Sequence, residues 1–227
     1  MVITIDGPAA SGKSTVAQIL ARELGSYYLN TGLLYRAVAY IIARRHENPD
    51  GSGCDCCMGD IKIEAQDLDF IGRIMYEYRD GKPYVMYKKE DITQHLYDAQ
   101  IGDLASVISA TALVRNALLP LQRDIAQKYD IVADGRDCGT VIFPDARFKF
   151  YLTASLDVRA SRLLAGVRYN GVNASLDDIK QDLEIRDHRD THREVAPLKK
   201  PDNAIFVDNS DMTIEETVAY FLRIIRE

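Results

Sequence analysis

The sequence predicts an α/β protein: a three-layer sandwich with a central parallel sheet of five strands and a small antiparallel β insert. Three observations carry this. Short apolar, β-branched runs alternate with stretches of helical period along most of the chain. The N-terminus reads strand, small-residue loop, helix. Between about residues 60 and 95 the period switches to that of a tyrosine-rich hairpin.

The elements follow in order. Val2 to Ile5 is a buried strand, Gly7 to Gly12 a small-residue loop, and Lys13 to Leu24 a helix with Val16, Ile19, Leu20 and Leu24 on one face, stopped by Gly25. Tyr27 to Leu29 reads as a second strand and Leu33 to Arg45 as a helix, before a loop at Asn48 to Gly53. Ile74 to Arg79 and Tyr84 to Tyr87 flank Asp80-Gly81, a hairpin turn pair. Leu104 to Tyr129 is helical, with Pro120 expected to kink it or separate two helices. Ile131 to Ala133, Phe148 to Leu152 and Ala204 to Val207 complete the parallel strands. Ser175 with Asp178, and Thr213 with Glu216, mark the starts of two further helices.

Composition narrows the function. At 227 residues, 47% hydrophobic and 27% charged, the chain can bury a core. Its net charge of −6 argues against a nucleic-acid polymer as partner. The acidic excess is local: residues 46–105 hold 6 Lys or Arg against 13 Asp or Glu, and the rest is near neutral. No segment has the roughly 18 uninterrupted apolar residues of a membrane helix, and the N-terminus lacks the basic region of a signal peptide. Cys54, Cys56 and Cys57 crowd one loop and Cys138 stands far off, which is no disulfide framework. A cytoplasmic protein without membrane association is expected, and a monomer. The cysteine cluster, with His46 nearby, lacks usual zinc spacing and reads as an ordinary loop.

Gly7-Pro8-Ala9-Ala10-Ser11-Gly12-Lys13-Ser14 matches G-x-x-x-x-G-K-[ST] in full, between a predicted strand and a predicted helix. Glycines let backbone N–H groups turn inward, and the helix N-terminus adds positive potential toward a polyphosphate. Lys13 can reach the β- and γ-phosphates, and the Ser14 hydroxyl can ligate Mg²⁺. The loop alone therefore points to a nucleoside triphosphate with Mg²⁺. Base-reading and switch motifs of a GTPase are absent from the sequence, and motor or transporter ATPases are usually longer. A kinase for a small acceptor is favoured.

Such a kinase must hold a second anion against the γ-phosphate, and arginines suit that task. Three stretches offer them. Asn30 to Arg36 is a polar turn leading into a helix. Asp134-Gly135-Arg136-Asp137-Cys138-Gly139-Thr140 follows a strand, where ligands of open parallel sheets bind. Arg186, Arg189, Asp190 and Arg193 fall on one helix face. Taken singly, Arg36 also suits a solvated helix, and the Arg186–Arg193 stripe a surface salt-bridge ladder.

Gly7 to Thr15, Thr31 to Ala37, Gly135 to Ala146 and Arg186 to Leu198 together resemble bacterial cytidylate kinases, of the P-loop nucleoside monophosphate kinase superfamily. The resemblance runs in order from Val2 to about Arg226. It implies a single P-loop kinase domain over residues 1–227, an inserted acceptor-binding subdomain at about 60–95 and a lid at about 155–175. It implies transfer of phosphate from ATP to CMP or dCMP, with ATP as donor and Mg²⁺ as cofactor. Lys13, Arg136 and Arg193 would be catalytic. Gly7, Pro8, Ala9, Ala10, Ser11, Gly12, Lys13, Ser14 and Thr15 would hold ATP, with Arg159 and Arg162 from the lid. Arg36, Arg136 and Arg193 would lie near the CMP phosphate, and Thr31 would bind the acceptor. Ser106, Arg115 and Asp137 would read cytosine, and Arg186 and Asp190 would face the ribose and nearby phosphate. The chain departs from the family pattern at Asn30, Tyr97, Cys138 and Leu163, where Asp, Arg, an aliphatic residue or Met, and Arg respectively are common. Closure of insert and lid is expected to exclude water. The alternatives are a P-loop kinase for UMP; one for a non-nucleotide acceptor, a reading that leaves Ser106, Arg115 and Asp137 without a task; and a non-catalytic nucleotide-binding regulator, which would have a broken Lys13, Ser14 or arginine set.

Overall fold

The computed structural model describes residues 1–45, 63–165 and 175–227. The loop at Asn48 to Gly53, the cluster Cys54, Cys56 and Cys57 with His46, and residues 166–174 of the expected lid lie outside the described residues. In chain order the regular elements are β1 (Val2–Asp6), α1 (Lys13–Leu24), β2 (Tyr27–Asn30), α2 (Thr31–Arg45), β3 (Ile74–Arg79), β4 (Lys82–Tyr87), β5 (Glu90–Asp91) and α3 (Ala99–Ile108). They continue with α4 (Ala112–Lys128), β6 (Ile131–Gly135), β7 (Phe148–Thr153), α5 (Leu156–Leu164), α6 (Leu176–His192), β8 (Ile205–Asp208) and α7 (Ile214–Arg226). Two compact units divide these residues: Met1–Asn30 with Arg123–Glu227, and Thr31–Gln122.

The first unit is built on a five-stranded sheet of order β2-β6-β1-β7-β8, parallel throughout. The predicted α/β class and five parallel strands are thus observed. The strands are buried on both faces, which is why they read as continuous apolar runs: Ile3, Ile5, Val132, Ala133, Phe150 and Leu152 are all fully buried. Phe150 stacks on Phe221 of α7 with ring centroids 4.0 Å apart. Helices α6 and α7 begin at the two marked starts, and both are capping boxes: Ser175 with Asp178, read from sequence only as a loose helix-start signal, and Thr213 with Glu216. Parallel register sets the functional end of the sheet level. Asp6 lies opposite Gly135 on one side and Tyr151 on the other, and Asn30 lies opposite Asp134.

The second unit packs α2 on α3 and carries a separate antiparallel sheet of order β3-β4-β5. Asp80 and Gly81 both have positive φ, 53° and 72°, as a two-residue hairpin with right-handed strand twist requires. Lys88 and Lys89 repeat that geometry, with φ of 50° and 71°, and turn the chain into β5, which the sequence reading did not contain. The helical stretch expected from Leu104 is longer at its start and broken elsewhere than at Pro120. Asp98 caps α3 by accepting from the Gln100 and Ile101 amides. The chain bends by 102° between α3 and α4, at Ser109 to Thr111, while Pro120 sits exposed inside α4. The break is stable because its polar groups are used: the Ser109 carbonyl accepts from Arg115, and its hydroxyl donates to the Ser106 carbonyl. Among the described residues, no single helix is long and apolar enough to cross a membrane.

Candidate active site

The phosphate loop leaves β1 at Asp6 and enters α1 at Lys13. Gly7 has φ of 150°, and a Cβ there would sit 2.0 Å from the Leu152 carbonyl oxygen, so the loop start admits only glycine. Ala10 and Gly12 have φ of 60° and 89°, which folds the loop into a concave backbone turn. Lys13 is buried, and its ammonium donates to the Pro8 carbonyl and to the Ser11 hydroxyl. Burial, and then the Arg136 charge, hold it well below the ordinary lysine range, while Asp134 and Asp190 pull the other way.

Ser14 donates to Asp134 Oδ2 at 2.7 Å, and the Tyr28 hydroxyl donates to Asp134 Oδ1 at 2.8 Å. Asn30 Nδ2 donates in turn to the Tyr28 hydroxyl at 3.0 Å. Burial raises the Asp134 carboxyl above its usual range against the pull of these donors and of Lys13 and Arg136. A hydroxyl and a carboxylate at a strand end are hard oxygen ligands. They fit Mg²⁺, which takes one or two protein groups and completes its shell with phosphate and water. Among the described residues no group of three or more His, Cys, Asp or Glu side chains could hold a metal, so a dedicated protein cage is not what these residues form.

Arg136, just beyond β6, donates from Nε to Asp190 Oδ2 at 2.7 Å. Burial opposes the charge on Asp190, but Arg136, Arg186 and Arg193 outweigh it and hold the carboxyl below its usual range. Arg193 ends α6. Its Nη2 lies 3.5 Å from Asp137 Oδ1, and both side chains are less than 5% exposed, at 4% and 3%. The stretch after it, Ala196-Pro197-Leu198, ties this arginine and Asp190 together. Ala196 takes φ of 49°, its carbonyl accepts from Arg193 Nε at 2.8 Å, and the Leu198 amide donates to the Asp190 carbonyl at 2.7 Å. Lys13, Ser14, Arg136, Asp137, Arg186, Asp190 and Arg193 therefore belong to one charged cluster within the first unit.

Arg159 and Arg162 support the phosphate loop from its outer side. Arg159 donates to the Ala9 carbonyl at 3.1 Å and pairs with Asp187, whose other oxygen accepts from the Ala9 amide at 3.1 Å. Arg162 donates to the side-chain and main-chain oxygens of Asn209, and Asn209 Nδ2 donates to the Ser11 carbonyl at 3.2 Å. Leu163 packs against the cluster of Ala9, Ala160, Ile179 and Leu183. Asp6, Asp187 and Asn209 were missed by sequence reasoning. Asp187 directly follows Arg186 of the arginine stripe, and Asp6 is a lone acid ending an apolar strand, which is a usable signal.

The remaining candidates lie in the second unit. Thr31 opens α2 and is buried. Arg36 donates to the Leu96 carbonyl at 2.7 Å and to the Asp98 carbonyl at 3.3 Å. Gly102 makes room for it, since a Cβ there would lie 2.7 Å from Arg36 Nη2. Ser106 and Arg115 are both buried, and the Arg115 guanidinium sits 5.3 Å from the Tyr35 ring centroid.

A parallel sheet, a complete phosphate loop at its carboxyl end and a converging arginine set define a P-loop kinase. The family model described as cytidylate kinase matches residues 3–227, and the chain belongs to that family; it is a nucleoside monophosphate kinase. The chain is 38% identical to the cytidylate kinase of Lactobacillus johnsonii over 227 residues, covering 100% of this chain and 94% of that one. It is 39% identical to the cytidylate kinase of Thermodesulfovibrio yellowstonii, covering 100% and 98%. Among solved structures, an uncharacterized protein from Eubacterium ventriosum shares the fold, with a TM-score of 0.53 at 11% identity and coverage of 100% and 99%.

Proposed function

We propose that this kinase transfers the γ-phosphoryl group of ATP to CMP or dCMP by direct in-line displacement, with Mg²⁺. The observation that carries the reading is the buried Asp137–Arg193 pair at the carboxyl end of β6, in the same charged cluster as Lys13. Cytosine offers an amino donor where uracil has a carbonyl, and a buried carboxylate accepts from that amine. UMP would leave polar groups mismatched at such a site.

The acceptor phosphate is already an oxyanion at neutral pH, so no general base is assigned. Catalysis is then positioning and charge stabilisation. Lys13 and the phosphate loop from Gly7 to Thr15 hold the triphosphate. Arg136 and Arg193, with Arg36, hold the acceptor phosphate, Thr31 contributes to acceptor binding, and Arg186 and Asp190 face the ribose and nearby phosphate. Ser106 and Arg115 read the base with Asp137, and Arg159 and Arg162 serve the ATP side. Ser14, steadied by Asp134, would hold Mg²⁺, which when bound neutralises charge on the β- and γ-phosphate oxygens. The reading extends to a single kinase domain over residues 1–227, with the antiparallel segment at about 60–95 as acceptor-binding insert and 155–175 as lid, and to a cytoplasmic monomer whose partners are small nucleotides. Its test is product identification. Incubation with Mg²⁺-ATP and CMP should give CDP and ADP in equal amounts by ³¹P NMR; ADP with inorganic phosphate and no CDP would overturn it.

A further inference from the structure

Asp6 is fully buried at the carboxyl end of β1. It is the last residue of β1 and precedes Gly7 of the phosphate loop. Its two carboxylate oxygens each accept one backbone N–H, Oδ1 from Cys138 at 2.8 Å and Oδ2 from Gly139 at 2.7 Å. Those are the two residues directly after Asp137. The Asp137 carbonyl then accepts from the Val141 and Ile142 amides, at 2.9 and 3.2 Å, and the Cys138 carbonyl accepts from Phe143 at 2.7 Å. The result is a single wide turn of π-helical bonding over Cys138–Ile142, a form that otherwise competes poorly with the α-helix. Gly139 completes the fit. A Cβ there would lie 2.9 Å from Thr4 Oγ1 and 3.2 Å from Asp6 Oδ2.

We infer that Asp6 is a positioning residue for acceptor discrimination: its bidentate grip on the Cys138 and Gly139 amides fixes the backbone that aims the Asp137 carboxylate. The inference rests on reading Asp137 as the group that faces cytosine. Charge-assisted bonds from backbone amides to a carboxylate are strong, and here both are made at full burial. Burial pushes the Asp6 carboxyl up to about 6, with the two amides and Lys13 opposing and Asp137 reinforcing the rise.

Asp6→Asn keeps the shape but presents an amide NH₂ to one of the two N–H groups; Asp6→Ala removes both acceptors. Steady-state kinetics with CMP, UMP and ATP, and calorimetric titration with CMP, are measured on wild type and both variants. The expected result is a rise in KM and Kd for CMP of about tenfold or more, a fall in the CMP-over-UMP preference of similar size, and a KM for ATP within about threefold of wild type, with Ala worse than Asn. An unchanged CMP preference in the variants, or parallel rises in KM for CMP and ATP, would overturn the inference. A wild-type enzyme without CMP preference would instead overturn the reading of Asp137. Should the Asp6 variants not fold, Gly139→Ala, which presses on the same turn while leaving the carboxylate in place, must show the same CMP-selective loss for the inference to stand.

Discussion

Removing Asp187 should loosen the phosphate loop and destabilise the first unit together. The residue does two things at once: one oxygen pairs with Arg159, and the other accepts from the Ala9 amide. The pair is mostly buried, with Arg159 10% and Asp187 19% exposed. Breaking a fully buried pair by deleting one partner costs about 3–5 kcal/mol, because the survivor's charge is left uncompensated. Here the residual exposure reduces that, and Arg159 keeps its bonds to the Ala154 and Ala9 carbonyls. Asp187→Ala should therefore cost about 2–3 kcal/mol, read by urea unfolding with unchanged slope. In a double-mutant cycle with Arg159→Met most of that loss should vanish, since no buried charge then remains. The freed Ala9 amide should also raise KM for ATP several-fold. A cost below about 0.5 kcal/mol, or full additivity in the cycle, would refute the reasoning.

Lys13→Met should lower kcat by about a thousandfold or more while leaving the unfolding midpoint unchanged or higher, because burial disfavours the native ammonium and the substitution removes that penalty; a stability loss with normal turnover would contradict this. Asp6 gives a pH prediction. Its native pKa, about 6 against a usual 3.8, is raised, so its contribution to stability is undiminished below about pH 4 and is lost as pH rises to 6, by about 3 kcal/mol at most. The stability difference between Asp6→Asn and wild type should therefore shift in the variant's favour across that window and stay flat above it. Gly7→Ala should be the most damaging single methyl in the loop, costing about 3 kcal/mol or more or preventing folding, since its Cβ would lie 2.0 Å from the Leu152 carbonyl oxygen; a soluble variant with wild-type midpoint would refute the close approach.

Local signals carried the fold far. Helix α1 spans Lys13–Leu24 as its apolar spacing and Gly25 dictate, and both marked helix starts, Ser175 with Asp178 and Thr213 with Glu216, are capping boxes. The misses share a cause. Lys88-Lys89 has no turn chemistry of its own, so the sharp entry into β5 is imposed by pairing with β4 rather than by the residues in the turn. Pro120 looked like a breaker, but it is exposed in α4 and the break fell where Ser109 found partners for its hydroxyl and carbonyl. At the site, motif residues were visible singly, whereas their bonds were not. Ser14 meets Asp134 across 120 residues, Asp187 meets Ala9 across 178, and Asn209 meets Ser11 across 198. Periodicity is silent about such pairs; only the parallel register and the packing of α5 and α6 bring them together.

The central claim is that a buried carboxylate beside a complete phosphate loop selects cytosine. Its most direct test is the ratio of kcat/KM for CMP to that for UMP, measured by ADP release at fixed Mg²⁺-ATP. A hydrogen-bond mismatch of about 3 kcal/mol or more at the base predicts a ratio of about a hundred or higher, collapsing in Asp137→Ala. A wild-type ratio near one would contradict the account.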